Sequence, residues 1–184
     1  MSFSLSFAML FATLLLALPD PADALPLLNR SREMLAERGM GVLGAWALLN
    51  LVVSGYFVMH TDKRTEWHYF HQMNVGWNMV NVALAVYGIL NAHPNQVAGM
   101  TLADSLTAQF NFEKILLFNA GLDVAYVATG SWLRARALST DRRPERLVGF
   151  GRSLWVQGAF LLGFDVCFYF IYHQFASQLL ALLG

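Results

Sequence analysis

Four stretches of the chain are apolar with few interruptions: Val42–Met59, Met73–Leu90, Ile115–Trp132 and Leu154–Tyr172. Each approaches the roughly 20 residues that a helix needs to cross the hydrocarbon core of a bilayer. The polar and small residues within them recur at helical spacing. At about 100° per residue, His71, Asn74, Asn78 and Asn81 share one narrow stripe of the second stretch. The third aligns Asn119, Asp123, Tyr126 and Gly130, and the fourth Gly158, Asp165, Tyr169 and Tyr172. In the first, Trp46, Asn50, Phe57 and His60 fall together. Lipid satisfies neither amides nor carboxyls, so the stripes must turn inward and meet. The pattern predicts an all-α protein, a transmembrane four-helix bundle with a polar seam. Small residues such as Gly76, Ala85, Gly88, Gly121 and Gly163 are expected to let the backbones approach.

The segments between the spans refine this arrangement. Residues 1–24, MSFSLSFAMLFATLLLALPDPADA, hold a short apolar run, break at Pro19 and Pro21, and end in Ala22-Asp23-Ala24. That order suits a secretory signal peptide cleaved after Ala24, although the usual basic start is missing. The expected mature domain is 25–184. From Leu25 to Met40 the chain is polar and helix-compatible, with Ser31 placed to cap and Glu33, Glu37 and Arg38 suited to a wet outer face. The short linker TDKRTEWHYFH makes the first two spans an antiparallel hairpin, with Trp67, Tyr69 and Phe70 at an interfacial belt. Leu133–Gly151 reads as an exposed basic loop or short helix.

Composition agrees with lipid as the solvent. Of 184 residues, 57% are hydrophobic and 13% charged, against about 25% charged in a soluble domain; mean hydropathy is +0.46. Twelve basic and twelve acidic residues cancel, so the distribution of charge matters more than its total. Lys63 and Arg64 follow the first span; Arg134, Arg136, Arg142, Arg143, Arg146 and Arg152 lie between the third and fourth. Between the second and third, the stretch NAHPNQVAGMTLADSLTAQ has neither lysine nor arginine. The positive-inside rule therefore puts the basic loops in the cytoplasm and both mature termini outside. No basic patch with interleaved aromatics suggests nucleic acid. The single cysteine, Cys167, forms no intrachain disulfide.

The acids in the spans pose the chemical question. Phe118–Tyr126 and Phe160–Phe168 share F-x-x-G-[LF]-D-V-[AC]-[YF], centred on Asp123 and Asp165. The first two spans share W-x-x-x-N-x-x-x-x-x-Y, at Trp46, Asn50 and Tyr56 and at Trp77, Asn81 and Tyr87. Aligned on their central polar residues, the four spans give Asn50, Asn81, Asp123 and Asp165, an inverted repeat of the kind that places a site at the bilayer midplane. No lysine or arginine lies at the depth of the acids; Lys114 and Arg152 sit at span ends. Two ionised carboxylates without a counter-ion are too costly there. Either both are neutral, or they share a proton, or they hold a cation. Asn78, Asn119, Tyr126, Trp46 and Trp77 complete the candidate set, the aromatic rings being able to face a cation.

Other chemistries have weaker signals. His60, His68 and His71 cluster at the inner end of the first hairpin and His173 lies at the outer end of the fourth span. His60 with His71 would just serve a bis-histidine haem; His68-x-x-His71 alone is a poor metal site. Interfacial histidines bonded to water or headgroups are the simpler expectation, and no cofactor or metal is expected. No nucleophile–base pair or phosphate-binding glycine loop is evident, so an enzyme is not expected.

The segments YFHQMNVGWNMVNVALAVYG, FEKILLFNAGLDVAYVATG and GFGRSLWVQGAFLLGFDVCFYF resemble a family of uncharacterised bacterial inner-membrane proteins of unknown function. The resemblance implies four spans and brings no activity. It draws notice to Glu113, Lys114, Arg152 and Gln157, which lie in the matching segments. The functional expectation is binding, and translocation, of a proton or small cation at the seam. The alternative is a non-catalytic accessory or assembly subunit whose seam only holds the bundle together. The expected partners are the lipid bilayer and other membrane subunits or a second copy of the chain.

Overall fold

The structure, a computed structural model, describes residues 21–183. Most of the expected signal peptide lies outside these residues. Four long helices make up the described chain: α1 (Pro21–His60), α2 (Glu66–Asn91), α3 (Leu102–Ala137) and α4 (Pro144–Ala181). A 3-10 turn, Val97–Gly99, lies between α2 and α3. The all-α bundle is as the hydropathy pattern predicts. α1, α2 and α4 are long and apolar enough to cross a membrane; α3, which carries Asn111, Glu113, Lys114, Asn119 and Asp123, falls short of that hydropathy.

Local signals set the ends. Thr65 caps α2 by accepting from the His68 backbone N–H. Thr101 caps α3 by accepting from the Asp104 N–H, while its hydroxyl donates to the Asp104 carboxylate at 2.7 Å. Each cap satisfies a donor that the first helical turn leaves free. Arg143 has φ 51°, a left-handed residue that reverses the chain before Pro144 starts α4.

Three expectations need correction. The polar lead-in is no separate surface helix with a cap at Ser31. It is the first half of a continuous 40-residue α1, and it packs into the bundle: Asn29 and Arg32 are each 1% exposed. The expected basic loop shrinks to the segment between Ala137 and Pro144, because α3 and α4 extend well past the apolar stretches. Helices of 36 to 40 residues are about 54 to 60 Å long, against a hydrocarbon core of roughly 30 Å. Their polar ends therefore stand clear of any membrane. The third correction concerns the glycines. Gly88, packed against Met40, and Ala85, 1% exposed, do sit at helix contacts, but a Cβ at Gly76, Gly121 or Gly163 would touch nothing within 4 Å. Close approach is instead made where a Cβ on Gly130 would lie 2.7 Å from the Gly151 carbonyl, and one on Gly151 2.6 Å from that of Gly130.

α4 is the hub: it packs along α3, against α2 and, less extensively, against α1, while α1 also packs along α2. α3 packs extensively on α4 alone, and between α2 and α3 a gap opens beside the contact of Trp77 with Tyr126.

Candidate functional site

The gap is a cavity of about 530 Å³. α2 contributes Trp77, Asn81, Leu84 and Gly88 to its wall, and α3 contributes Phe112, Asn119, Asp123 and Tyr126. α4 closes the back with Leu161, Phe164 and Asp165, and α1 adds Met40 and Leu43. Trp77 and Tyr126 meet edge to face across the gap, with centroids 4.5 Å apart, and bridge α2 to α3 at the end where the acids lie.

Helix pairing brings the acids together. α3 and α4 are antiparallel, and Gly158 lets them close: a Cβ there would lie 3.2 Å from the Asp123 carbonyl and 3.3 Å from the Tyr126 Cβ. The carboxyls of Asp123 and Asp165 are within hydrogen-bonding reach of one another. They are 3% and 6% exposed. Two oxygens at that separation, so buried, repel unless a proton or a cation lies between them. Asp123 Oδ2, Asn81 Nδ2 and Trp77 Nε1 are buried with no hydrogen-bond partner among the described residues.

Six of the nine sequence candidates thus share one cavity: Asn81, Asp123, Asp165, Asn119, Tyr126 and Trp77. The other three belong elsewhere. Asn50 and Trp46 meet Gln157, one of whose amide hydrogens goes to Asn50 Oδ1 at 3.2 Å while its oxygen accepts from the Trp46 indole at 3.0 Å. Gln157 is eight residues before Asp165, so Asn50 lies about 12 Å along α4 from the acids. The equal-depth alignment of Asn50 with the acids is therefore not what the structure has. Asn78 is fully buried and donates to its own helix, at the Asn74 carbonyl, 2.8 Å.

Gln157 is the centre of a second polar layer. Its amide also reaches Asn74 Oδ1 at 3.2 Å, and Ser153 donates to the same oxygen at 2.5 Å. Asn74 donates to Ser54 at 3.3 Å, and Ser54 pairs with His71 Nδ1 at 3.2 Å. Ser54, Ser153 and Gln157 carry this layer and stood outside the site candidates. Their signal was present: Ser54 lies four residues after Asn50, and Gln157 eight before Asp165, at helical spacing on the same stripes.

A third layer lies at the far end, of which the sequence draws notice to Glu113 and His173 alone. Arg32 donates to the Ser105 carbonyl at 2.6 Å and lies 3.7 Å from Glu33. Gln109 donates to Glu113 at 2.8 Å and to the Tyr172 carbonyl at 3.0 Å. Glu113 pairs with His173 at 3.0 Å. Ser105, Gln109 and Glu113 extend the α3 stripe toward its N-terminus, beyond the expected span.

His60 and His68 are engaged locally. His60 Nδ1 pairs with the Tyr56 carbonyl at 2.8 Å, and His68 Nδ1 with Thr61 at 3.4 Å. Arg152 is ion-paired with Glu66, tying the start of α4 to that of α2. Lys114 is exposed.

Comparison with known proteins places the chain in a family without placing a function. The model of a family of unknown function, DUF6992, matches residues 42–166. That is more than half of the chain, which belongs to this family. The match covers the central layer and Gln157, and leaves Arg32 on α1 and His173 outside it. No curated protein and no solved structure matches the chain.

Proposed function

For this member of a family of unknown function, we propose an integral membrane protein of four spans that binds a proton or small cation at the Asp123–Asp165 pair. One observation carries the proposal: two buried carboxyls within hydrogen-bonding reach of each other, opening on a cavity. Asp123 and Asp165 supply the charge. Trp77 and Tyr126 present ring faces and edges near it, and Asn81 and Asn119 supply amide groups. The three-layer chain of polar groups, from His71 through Gln157 and the acids to Glu113 and His173, supports translocation as well as binding. It sets polar groups at three levels along the bundle, with apolar lining between the acids and the far level.

The membrane in question is the bacterial inner membrane, with the segment around Arg142 in the cytoplasm and both termini outside. α3 counts as the fourth span because its acid faces α4, leaving Leu117, Phe118 and Val124 exposed to lipid. The second reading is a non-catalytic accessory subunit, in which the polar layers only join helices. The layer around Gln157 favours it, since most of its polar groups are spent on one another.

Melting curves of the purified protein in detergent, across a sodium, potassium and organic-cation series, test the site. A cation site gives saturable stabilisation by at least one cation, abolished in Asp123→Asn/Asp165→Asn. A wild type indifferent to every cation leaves the accessory reading.

A further inference from the structure

We propose that the cavity between α2 and α3 takes a lipophilic organic cation, an amine with a hydroxyl or carbonyl beside it and an apolar tail, which enters sideways from the bilayer. This rests on the assignment of the acid pair as a cation site and names its ligand class.

Size comes first. At about 530 Å³, the space is in the range of small-molecule pockets, roughly 300 to 1,000 Å³, and far larger than a bare inorganic ion needs. It is also long. Its α2 wall runs from Trp77 to Asn91, about 21 Å at the helical rise. Between the polar groups at the acids and the far end, the lining is Leu84, Gly88, Ile115, Phe112 and Met40. Glu33 and Asn91 lie at the far end, so the slot is apolar along its middle, which fits a charged head at the acids and an apolar tail along Leu84, Phe112 and Ile115.

The route follows from the packing. α2 and α3 stand apart beyond the Trp77–Tyr126 bridge. Val80, Leu84, Tyr87 and Ile115 line the cavity and are also more than half exposed on the lipid-facing surface. The slot is therefore continuous with the lipid, and a tail can remain there while the head advances.

The head is specified by charge and by the groups left without partners. Two carboxyls face the slot, while Glu33, at its far end, lies 3.7 Å from Arg32 and has its charge offset there. The buried guanidinium of Arg32 is bound to Ser105, eighteen residues and about 27 Å along α3 from Asp123. Such a field rejects an anion and favours a cation, and the Trp77 and Tyr126 rings add to that preference. Asp123 Oδ2 calls for a donor, which an ammonium supplies. Asn81 Nδ2, in a side chain only 4% exposed, and Trp77 Nε1 call for an acceptor. A hydroxyl or carbonyl close to the ammonium supplies it.

The test uses the full chain in nanodiscs of zwitterionic lipid and three probes with the same tail: 2-(decylamino)ethanol, 1-decanol and decanoate. The amino alcohol should raise the melting temperature saturably, and the other two should not. Asp123→Asn/Asp165→Asn should weaken its apparent affinity about 100-fold, the loss expected for one or two charge-assisted hydrogen bonds. Trp77→Phe keeps the ring and removes one donor; it should weaken binding several-fold and guards against misfolding of the acid variant. Leu84→Trp/Ile115→Trp narrows the slot without touching the acids. It should abolish the response to the amino alcohol and preserve any response to sodium or potassium. If inorganic cations stabilise the wild type but the amino alcohol does no more than decanol, the ligand class is wrong and the cation site stands. If no cation of either kind acts, both fail. An amino alcohol response that survives Leu84→Trp/Ile115→Trp overturns lateral entry and with it the proposal.

Discussion

Gln157→Met should destabilise the bundle by about 2 kcal/mol. The glutamine is 1% exposed and makes three hydrogen bonds, to Trp46, Asn50 and Asn74. Methionine is close in volume and leaves no large cavity, so the loss reports polar contacts rather than packing. Hydrogen bonds between membrane helices contribute ~0.6 kcal/mol on average and at most ~1.7. Three average bonds give about 2 kcal/mol. The upper extreme is not expected, because Asn74 Oδ1 keeps Ser153 and the Asn50 amide keeps its bond to the Trp46 carbonyl at 2.9 Å. Reversible unfolding in mixed micelles, followed by circular dichroism, measures the change. A double-mutant cycle with Trp46→Phe isolates one of the bonds; phenylalanine preserves the stack on Phe160, whose centroid lies 3.9 Å from that of Trp46. The expected coupling is about 0.6 kcal/mol or more. A total loss below about 0.5 kcal/mol, with no coupling, would refute the assignment of Gln157 as the centre of that layer.

Glycine substitutions should separate into two groups. Gly121→Ala and Gly163→Ala meet open space and should leave the melting temperature unchanged or higher, whereas Gly130→Val and Gly151→Val should lower it by forcing α3 from α4. Arg32→Met should cost about 1 to 3 kcal/mol by removing a charged hydrogen bond to Ser105, with faster hydrogen exchange in the 92–101 segment as its local signature. For topology, Arg142→Cys in a Cys167→Ser background should react with a membrane-impermeant maleimide only after the inner face is exposed; labelling from outside would reverse the orientation.

How much the sequence reveals differs between the two halves of each helix pair. Apolar runs and helical stripes locate all four helices, because lipid forces polar groups onto one face wherever the chain is in contact with it. The same logic finds Asp123, Asp165, Asn81 and Tyr126. Helix length is less legible: beyond the hydrocarbon region polar residues are cheap, so Leu25–Met40 looks like a wet lead-in. Arg32 nevertheless goes inside, because the Ser105 carbonyl on the extended α3 accepts from it, a pairing that hydropathy cannot register. The depth of Asn50 was also hidden. Aligning spans on their central residue assumes equal insertion, and the Trp46–Phe160 stack sets α1 against α4 so that Asn50 meets Gln157, about two turns from Asp165. Gly76, Gly121 and Gly163 lack their expected contacts for a related reason. Glycine in a span marks close approach only where a second backbone arrives, and Gly130 and Gly151 meet while Gly121 and Gly163 do not.

The paired site itself is most directly tested by the infrared spectrum of the protein in nanodiscs, at neutral pH, recorded with and without a saturating stabilising cation. A pair that holds one proton or one cation shows the carbonyl stretch of a protonated carboxylic acid in the cation-free wild type. That band is lost when the cation binds and is missing from Asp123→Asn/Asp165→Asn. A band that is unchanged by every cation contradicts a cation site, and one that persists in the double variant contradicts any site at Asp123 and Asp165.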